Sequence, residues 1–412
     1  MSYLYTKSEQ PKVSKRFWAV LACFLFSLFF LLFQGGKLAS MTFVVVTVLT
    51  VYILLGRYSG ISRVTGSRRL ANLGQDETLE AGTSLDIQID LHIPGMWPVP
   101  YVFVRDRLTH RNKGETVFES SFIPDWNRRG RVEYRTQPLR RGFYRFERSE
   151  CSTEDIFGVF EHRGPLDLPL GFRVLPQTVP ITEWRQLHQM LKGMQSQSTT
   201  TRALRETTQI NGVREYTYGD RLSRIHWNAT ARTGTWKSKE FERESLPKTI
   251  VVLDRERMHY EEDETFELAV STAASLMEYG RKNGMAIGLL SVGRESAYFE
   301  PKKSGLQYSR ILNHLTEAEA DGSHSLLHVL NDRAKMFVPG TFVVVISPNR
   351  SDSSLSAIGW IRQRQMNPCH ILVGADAAHD PQAWIQLLHS KGSHGYAVGA
   401  LTELPAALGG RG

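Results

Sequence analysis

The sequence contains only three cysteines among its 412 residues, and none of them belongs to a CxxC pair. Cys23 lies inside an apolar run, and no metal-binding pattern surrounds Cys151 or Cys369. This scarcity supports neither a disulfide framework nor a cysteine-ligated zinc site. It is typical of proteins that function in a reducing compartment.

The patterns of the common catalytic and nucleotide-binding sites are missing as well. No GxGxxG opens a predicted helix, no P-loop occurs, the thirteen histidines never form HExxH, and no GxSxG elbow is present. No nucleophile can therefore be matched with a base. We expect a protein that is not an enzyme.

Acidic residues are outnumbered by basic ones, which gives the chain a formal net charge of +8. The arginines concentrate between residues 128 and 148 and between residues 202 and 243. Such a balance suits anionic lipid, nucleic acid or a solvated face. Because no RNP or helix-turn-helix pattern accompanies the arginines, we expect no nucleic-acid partner.

Two long apolar runs lie near the N-terminus, Phe17–Phe33 and Leu38–Leu55. Each is close to the shortest length that crosses a hydrocarbon core of about 30 Å. Only Gln34–Lys37 separates them, so we predict a transmembrane helical hairpin over residues 17–56. Lysines and arginines precede the first run and follow the second, which predicts a multi-pass protein of the cell membrane with both termini and the soluble domains in the cytoplasm. The alternative is a buried helical hairpin of a soluble domain.

The soluble part changes its pattern along the chain. Up to residue 181, short alternating segments such as Ser84–Ile93 are separated by turn residues without helices, which favours an immunoglobulin-like β-sandwich. From residue 249 onward, apolar strands such as Thr249–Asp254 and Thr341–Ser347 alternate with helical spacing such as that of Thr265–Asn283. This order predicts an α/β domain with a doubly wound, mainly parallel sheet.

The most distinctive segment is residues 213–244, which read VREYTYGDRLSRIHWNATARTGTWKSKEFERE. Charged, aromatic and turn-forming residues alternate here without a simple amphipathic period. A buried strand does not tolerate so many polar groups unless they are paired. We therefore predict an interaction site made of Arg214, Glu215, Tyr216, Gly219, Asp220, Arg224, Trp227 and Arg232.

Two interpretations of this segment remain open. In the first it is a recognition surface, because arginine forks bind carboxylate or phosphate and Trp227 is a residue type that anchors interfaces. In the second it is an internal brace. Arg224 and Arg232 then pair with Glu215 or Glu240, and Trp227 fills a core between domains.

Four stretches together resemble the bacterial domain-of-unknown-function 58 family: RRGFYRFE (140–147), EDIFGVFE (154–161), REYTYGDRLSRIHWNATART (214–233) and SKEFERE (238–244). The family signature, approximately R-E-Y-x-x-G-D-x-x-R-x-I-x-W-x-x-(T/S)-A-R, is matched nearly throughout. The resemblance implies a von Willebrand factor A-like C-terminal domain and no established enzymatic activity. It also implies a gene neighbourhood that usually contains a MoxR-type AAA+ ATPase and, often, a transglutaminase-like membrane protein.

Domains of the von Willebrand A type often hold a divalent cation through a D-x-S-x-S loop after the first strand. Here the corresponding loop is Asp254-Arg255-Glu256-Arg257-Met258, so both serines are absent. A cation bound by Asp254 and Glu256 is one interpretation. We favour the other, a sheet edge whose acids pair with arginines, because Arg255 and Arg257 would repel a divalent ion. We therefore expect no cofactor.

These observations predict a membrane-anchored adaptor or client of a MoxR-type AAA+ ATPase that mediates protein–protein interaction in envelope-associated assembly. The alternatives are a metal-dependent binding or hydrolytic protein and a basic membrane-surface protein that binds nucleic acid. The predicted segments are a cytoplasmic N-terminus (1–16), the transmembrane hairpin (17–56), the β-sandwich (70–181), a linker helix with the charged motif (182–248) and the von Willebrand A-like domain (249–404).

Overall fold

A computed structural model describes residues 15–55, 58–71, 78–96, 98–155, 161–189, 206–218, 220, 222–243, 248–374 and 380–409. Residues 1–14 of the predicted N-terminal segment, residues 190–205 and 244–247 of the predicted linker, Gly219, and most of the EDIFGVFE stretch lie outside these residues. The chain divides into two compact units, Met1–Leu175 and Pro176–Gly412. The division falls slightly before residue 181, where the β domain is predicted to end.

Two helices begin the first unit, α1 over Lys15–Gln34 and α2 over Gly36–Leu55. Among the described residues, α2 is long and apolar enough to cross a membrane, whereas the apolar helix Trp18–Gln34 is shorter than that. Only 11% of the apolar window of α2 is buried, unlike the helices that fill soluble cores. One candidate span is therefore present, and the two-span topology stays a prediction.

The rest of the first unit consists of strands in two sheets. These strands are β1 Thr65–Leu70, β2 Leu79–Glu80, β3 Asp86–His92, β4 Val102–His110, β5 Gly114–Phe122, β6 Arg129–Arg135, β7 Gly142–Phe146, β8 Ser149–Glu154, β9 Glu161–Leu166 and β10 Leu170–Leu175. One sheet has the order β1-β3-β6. The other has the order β2-β10-β7-β4-β8-β9, with β5 paired to β4. All pairs are antiparallel except β2 with β10.

Alternation of side chains explains how the two sheets share one core. Ile87 and Ile89 of β3 and Val102 and Val104 of β4 are buried, while the residues between them lie nearer to solvent. Successive residues of a strand point to opposite faces, so each sheet presents one apolar face. These faces meet in a single hydrophobic cluster that includes Phe146.

A charged pair lies inside this β-domain core. One guanidinium nitrogen of Arg68 donates to both carboxylate oxygens of Asp106, at 2.6 and 2.8 Å. The Ser149 hydroxyl donates to the same carboxylate at 2.6 Å, and the Tyr134 hydroxyl donates to it as well. The Arg68 guanidinium also stacks over Phe146, 4.0 Å from the ring centre. The pair is thus surrounded by polar donors and an aromatic face.

The second unit contains a hairpin and a mixed α/β domain. Its strands are β11 Glu206–Glu215, β12 Lys237–Arg243, β13 Thr249–Asp254, β14 Ile287–Val292, β15 Ala297–Lys302, β16 Phe342–Ser347, β17 Asn367–Val373 and β18 His394–Val398. Its helices are α3 Trp227–Thr233, α4 Asp263–Lys282, α5 Gly305–Glu317, α6 Leu326–Asp332, α7 Asp352–Gln363, α8 Pro381–Ser390 and α9 Leu404–Gly409. Residues 185–189, within the predicted linker helix, are also helical.

Strands β13 to β18 form one sheet with the order β15-β14-β13-β16-β17-β18, parallel except for β14 with β15. Every residue of β13 and β16 is buried, because helices cover both faces of the sheet. Val251 and Leu253 pack in a cluster with α4. Ile250 and Val252 pack in a cluster with α6 and α7. The predicted α/β class is therefore observed, with its central strands apolar on both sides.

Candidate functional site

The carboxyl ends of β13 and β16 meet at one edge of the sheet. The last residue of β13 is Asp254 and the last residue of β16 is Ser347. Because the register pairs Leu253 with Ile346, these two last residues lie side by side. The Ser347 hydroxyl donates to Oδ2 of Asp254 at 2.7 Å. Open α/β sheets place their binding sites at this edge, so the sequence locates Asp254 at the expected position.

His259 is the main partner of the Asp254 carboxylate. Nδ1 of His259, from the 3₁₀ turn Arg257–His259, donates to Oδ2 of Asp254 at 2.9 Å. Nε2 of His259 lies 2.9 Å from the side-chain amide nitrogen of Asn349 and 3.6 Å from the Glu256 carboxylate. The hydrogen bond to Asp254 raises the pKa of His259, while burial opposes part of that rise. The imidazole is thus held between β13 and the loop after β16.

The buried Asp254 carboxylate accepts hydrogen bonds from protein donors on both of its oxygens. Oδ2 accepts from His259 and Ser347, and Oδ1 accepts from the backbone N–H of Glu256 at 3.0 Å. The sequence predicts that Asp254 pairs with an arginine, and these three donors take that place in the structure. Arg255 instead pairs with Asp321 and donates to the carbonyl oxygen of Glu319 at 2.8 Å.

Three side chains at this edge could hold a metal ion. Asp254, Glu256 and His259 each place one potential ligand atom within 4.8 Å of the others. Two carboxylates and an imidazole suit a transition metal better than a hard cation, which prefers oxygen alone. A metal would nevertheless have to displace the His259 and Ser347 hydrogen bonds from the carboxylate. The expectation of no cofactor stays a prediction, and His259 is a ligand that the D-x-S-x-S pattern does not predict.

We expect titration of the full chain with Mg²⁺, Mn²⁺ or Zn²⁺ to give no saturable heat in isothermal titration calorimetry. The reason is that the donors already present satisfy the oxygens of Asp254. A saturable signal that disappears in the His259→Ala variant would contradict this expectation. Loss of the signal in an Asp332→Ala control would instead indicate adventitious surface binding, because Asp332 is an exposed acid elsewhere in the same unit.

The charged motif forms a small hairpin of its own. Strands β11 and β12 pair antiparallel, and helix α3 lies between them in sequence. Arg214 donates to Oδ1 of Asp220 at 2.6 Å and to the Thr217 hydroxyl at 2.6 Å. Its hydrogen bond to Asp220 lowers the pKa of that carboxyl. The Tyr216 hydroxyl donates to the Asp220 carbonyl oxygen at 3.0 Å, so the turn is closed by its own side chains.

Further contacts fix the helix and the second strand to the first. Tyr216 packs edge-on against Trp236, with ring centres 5.5 Å apart. Lys237 pairs with Glu215 at 3.1 Å, and the side chain of Glu240, the other predicted partner of the arginines, lies outside those described. Nδ1 of His226 accepts from the Ala229 N–H and so caps α3. Neither Trp236 nor His226 belongs to the predicted site.

The structure separates the predicted motif residues into two groups. Arg214, Glu215, Tyr216 and Asp220 bond within the hairpin. The side chain of Trp227 is 65% exposed. Arg224 is partly buried, Arg232 is exposed, and Gly219 lies outside the described residues. The pairing of Arg224 and Arg232 with Glu215 or Glu240, and the place of Trp227 between domains, stay predictions.

Residues 212–363 match the family described as "Protein of unknown function DUF58". The resemblance read from the sequence is thus confirmed over a segment that runs from β11 to the end of α7 and includes both Asp254 and the hairpin. The chain is similar to a Bacillus subtilis (strain 168) protein, Uncharacterized protein YeaD. The two are 24% identical over 297 residues, which are 71% of this chain and 72% of the relative.

Two solved structures show distant likeness to this chain. Proximal thread matrix protein 1 from the mussel byssus is 10% identical, with a TM-score of 0.28 over 39% of this chain and 45% of that chain. A CARDB domain from Pyrococcus furiosus is 14% identical, with a TM-score of 0.18 over 27% of this chain and 87% of that chain. This chain thus spans less than half of the mussel protein. At such scores neither likeness supports an argument about fold or function.

Proposed function

We propose that this chain is a membrane-anchored, non-enzymatic adaptor that presents the hairpin of residues 206–243 to a protein partner. Both N-terminal helices cross the cell membrane in this proposal, and the soluble domains lie in the cytoplasm. The β domain is assigned to the immunoglobulin-like class and the C-terminal domain to the von Willebrand A-like class. The parallel sheet order and the two helical layers support the second assignment, and the apolar surface of α2 supports the anchor.

One observation carries the proposal: Arg214, Tyr216 and Asp220 bond within the hairpin, while large apolar side chains of the same hairpin lie in solvent. Tyr218, Leu222 and Trp227 are all exposed within a short stretch of chain. Exposed apolar groups clustered in this way mark interaction surfaces, and Trp and Tyr dominate the binding energy of interfaces. Because the Arg214–Asp220 pair already fixes the turn, binding orders little additional structure.

The partner that we propose is a MoxR-type AAA+ ATPase, with a transglutaminase-like membrane protein as a second component of the same envelope-associated assembly. These identities rest on the family resemblance. The chemistry of the hairpin fits a partner surface that offers apolar pockets and carboxylates, because Arg232 lies on the same short helix as Trp227. Arginine pairs with carboxylates through two parallel hydrogen bonds, which gives directional recognition.

A crosslinking pull-down from membranes, with and without ATP, tests the proposal. We expect the full chain to enrich an AAA+ ATPase and the Tyr218→Ala/Trp227→Ala double variant to lose that enrichment. Both side chains are exposed, so the double variant should unfold at nearly the wild-type temperature. A Leu306→Ala variant, which removes an exposed apolar side chain of α5, serves as the matched control and should bind normally.

The outcomes separate the two parts of the proposal. If no AAA+ ATPase is enriched by the wild-type chain, the assignment of the partner is wrong. If an ATPase is enriched equally by the wild type and the double variant, the partner binds elsewhere and the hairpin is a structural element only.

A further inference from the structure

The segment that follows α2 is tied to two loops of the β domain through Arg128. The Nε of Arg128 donates to the Ile93 carbonyl oxygen at 2.8 Å, and its NH2 group donates to the carbonyl oxygen of Ser59. Arg128 itself has a φ of 60°, which turns its loop back towards this segment. At Gly60 a Cβ atom would lie 1.6 Å from the Pro94 carbonyl oxygen, so only glycine allows this approach.

This tie places the two loops close to the end of α2. The helix ends at Leu55, and Ser59 follows it after a few residues. An extended chain spans at most about 3.3–3.6 Å per residue, so Ser59 lies within roughly 15 Å of Leu55. The loops of residues 93–96 and 123–128 are therefore held near the point where α2 leaves the hydrocarbon. A bilayer with a hydrocarbon core of about 30 Å measures about 40–45 Å once the headgroup regions are included. The end of α2 is therefore followed by a headgroup layer roughly 5–8 Å deep before bulk water begins.

The side chains that these loops expose suit that position. Trp126 is 103% exposed and Met96 is 97% exposed, and Ile123 and Tyr58 also face solvent. Trp and Tyr concentrate at membrane–water interfaces, where the ring is desolvated and its polar edge stays wet. An exposed arginine, Arg129, follows the second loop directly and can reach anionic headgroups.

We propose that the loops 93–96 and 123–128, together with Tyr58, form a bilayer-contacting face that inserts Trp126 and Met96 into the interfacial region of the membrane that α2 crosses. This inference rests on the membrane anchoring proposed above. The contact fixes the orientation of the β domain against the membrane, because the Arg128 tie and the inserted side chains act at different points of the same end of the domain.

The test uses the full chain in nanodiscs of phosphatidylethanolamine and phosphatidylglycerol. Cys23→Ser removes the exposed cysteine, and the other two cysteines are buried. An environment-sensitive fluorophore is then attached at Asn127→Cys, beside Trp126, or at Lys113→Cys as the matched control. Lys113 lies in the turn between β4 and β5, at the opposite end of β5 from the loop 123–128. Lipids that carry quenchers at known depths report on insertion.

We expect the probe at residue 127 to show blue-shifted emission and quenching by quenchers at the interface, and the probe at residue 113 to show neither. Adding Trp126→Asp to the chain labelled at residue 127 should reduce the quenching there while the chain stays in the membrane.

Equal emission and quenching at residues 127 and 113, in a chain that resists alkaline carbonate extraction, overturns the inference and leaves the anchor intact. Release of the chain by carbonate overturns both. A blue shift that depends on protein concentration and not on the lipid quenchers assigns the face to a second copy of the chain, which also overturns the inference.

Discussion

Replacing Asp106 by alanine is expected to lower the free energy of unfolding of the β domain by about 3–5 kcal/mol, because it leaves the Arg68 charge buried without a counter-charge. The side chains of Arg68 and Asp106 are only 2% and 1% exposed, so water cannot replace the lost partner. The hydroxyls of Tyr134 and Ser149 lose their acceptor in the same variant. Hydrogen exchange of peptides from β3 and β4 measures the loss in the first unit separately from the second.

A double variant distinguishes the lost charge pair from lost packing. Arg68→Met with Asp106→Leu removes both charges and keeps apolar volume, and we expect it to recover part of the stability lost in Asp106→Ala. Removing one partner of the charge pair then costs more stability than replacing both partners by apolar residues. If Asp106→Ala stays close to wild type in hydrogen exchange, the guanidinium finds water or another acceptor, and the pair does not hold the core together.

The sequence predicts best those elements whose pattern is local. The predicted strand Thr249–Asp254 has the observed bounds, and the helical spacing of Thr265–Asn283 corresponds to α4, Asp263–Lys282. Apolar content and β-branching decide the strand, and the spacing of one apolar face decides the helix. The order of strands in the sheet depends instead on packing between distant parts of the chain. The periodicity of a single segment does not predict that order.

The candidate site shows the same limit. Asp254 is predictable because it ends an apolar strand, but its bond to Ser347 joins residues 93 positions apart. His259 is not predictable from spacing, since a short 3₁₀ turn brings it back to the carboxylate. The sequence leaves Trp227 open between an interface anchor and a filler between domains, and in the structure its side chain is exposed on a helix of seven residues. The sequence around Arg68 and Asp106 is typical of solvent-exposed strand residues, and only the packing of the two sheets shows that both side chains are buried.

Replacing Asp254 by alanine is the second substitution with a large expected effect, because three donors lose their acceptor, at about 1–3 kcal/mol for a buried donor and less for one that water can reach. Those donors are the Ser347 hydroxyl, the His259 ring and the Glu256 N–H. Hydrogen exchange of peptides from β13 and β16 measures the loss in the second unit. A Glu256→Gln variant keeps the backbone N–H that donates to Asp254 and removes only the charge that lies 3.6 Å from Nε2 of His259, so it should change stability much less.

The Asp254–His259 bond also predicts how the stability of the second unit depends on pH. The pKa of His259 is raised in the folded chain, so its contribution is fully present below the unfolded pKa of about 6.5 and is lost as the pH rises through the folded value. Two other histidines act in the opposite direction, since burial lowers the pKa of His370 and of His314 to about 4. Their contribution is present above about pH 6.5 and is lost as the pH falls towards 4. We therefore expect His259→Gln to remove the decline of stability above pH 6.5 while the acid limb remains. Thermal unfolding of the wild type and of the variant, measured between pH 5 and 9 in steps of about half a pH unit, gives this difference. An alkaline decline of equal size in both would mean that another group, not His259, controls it.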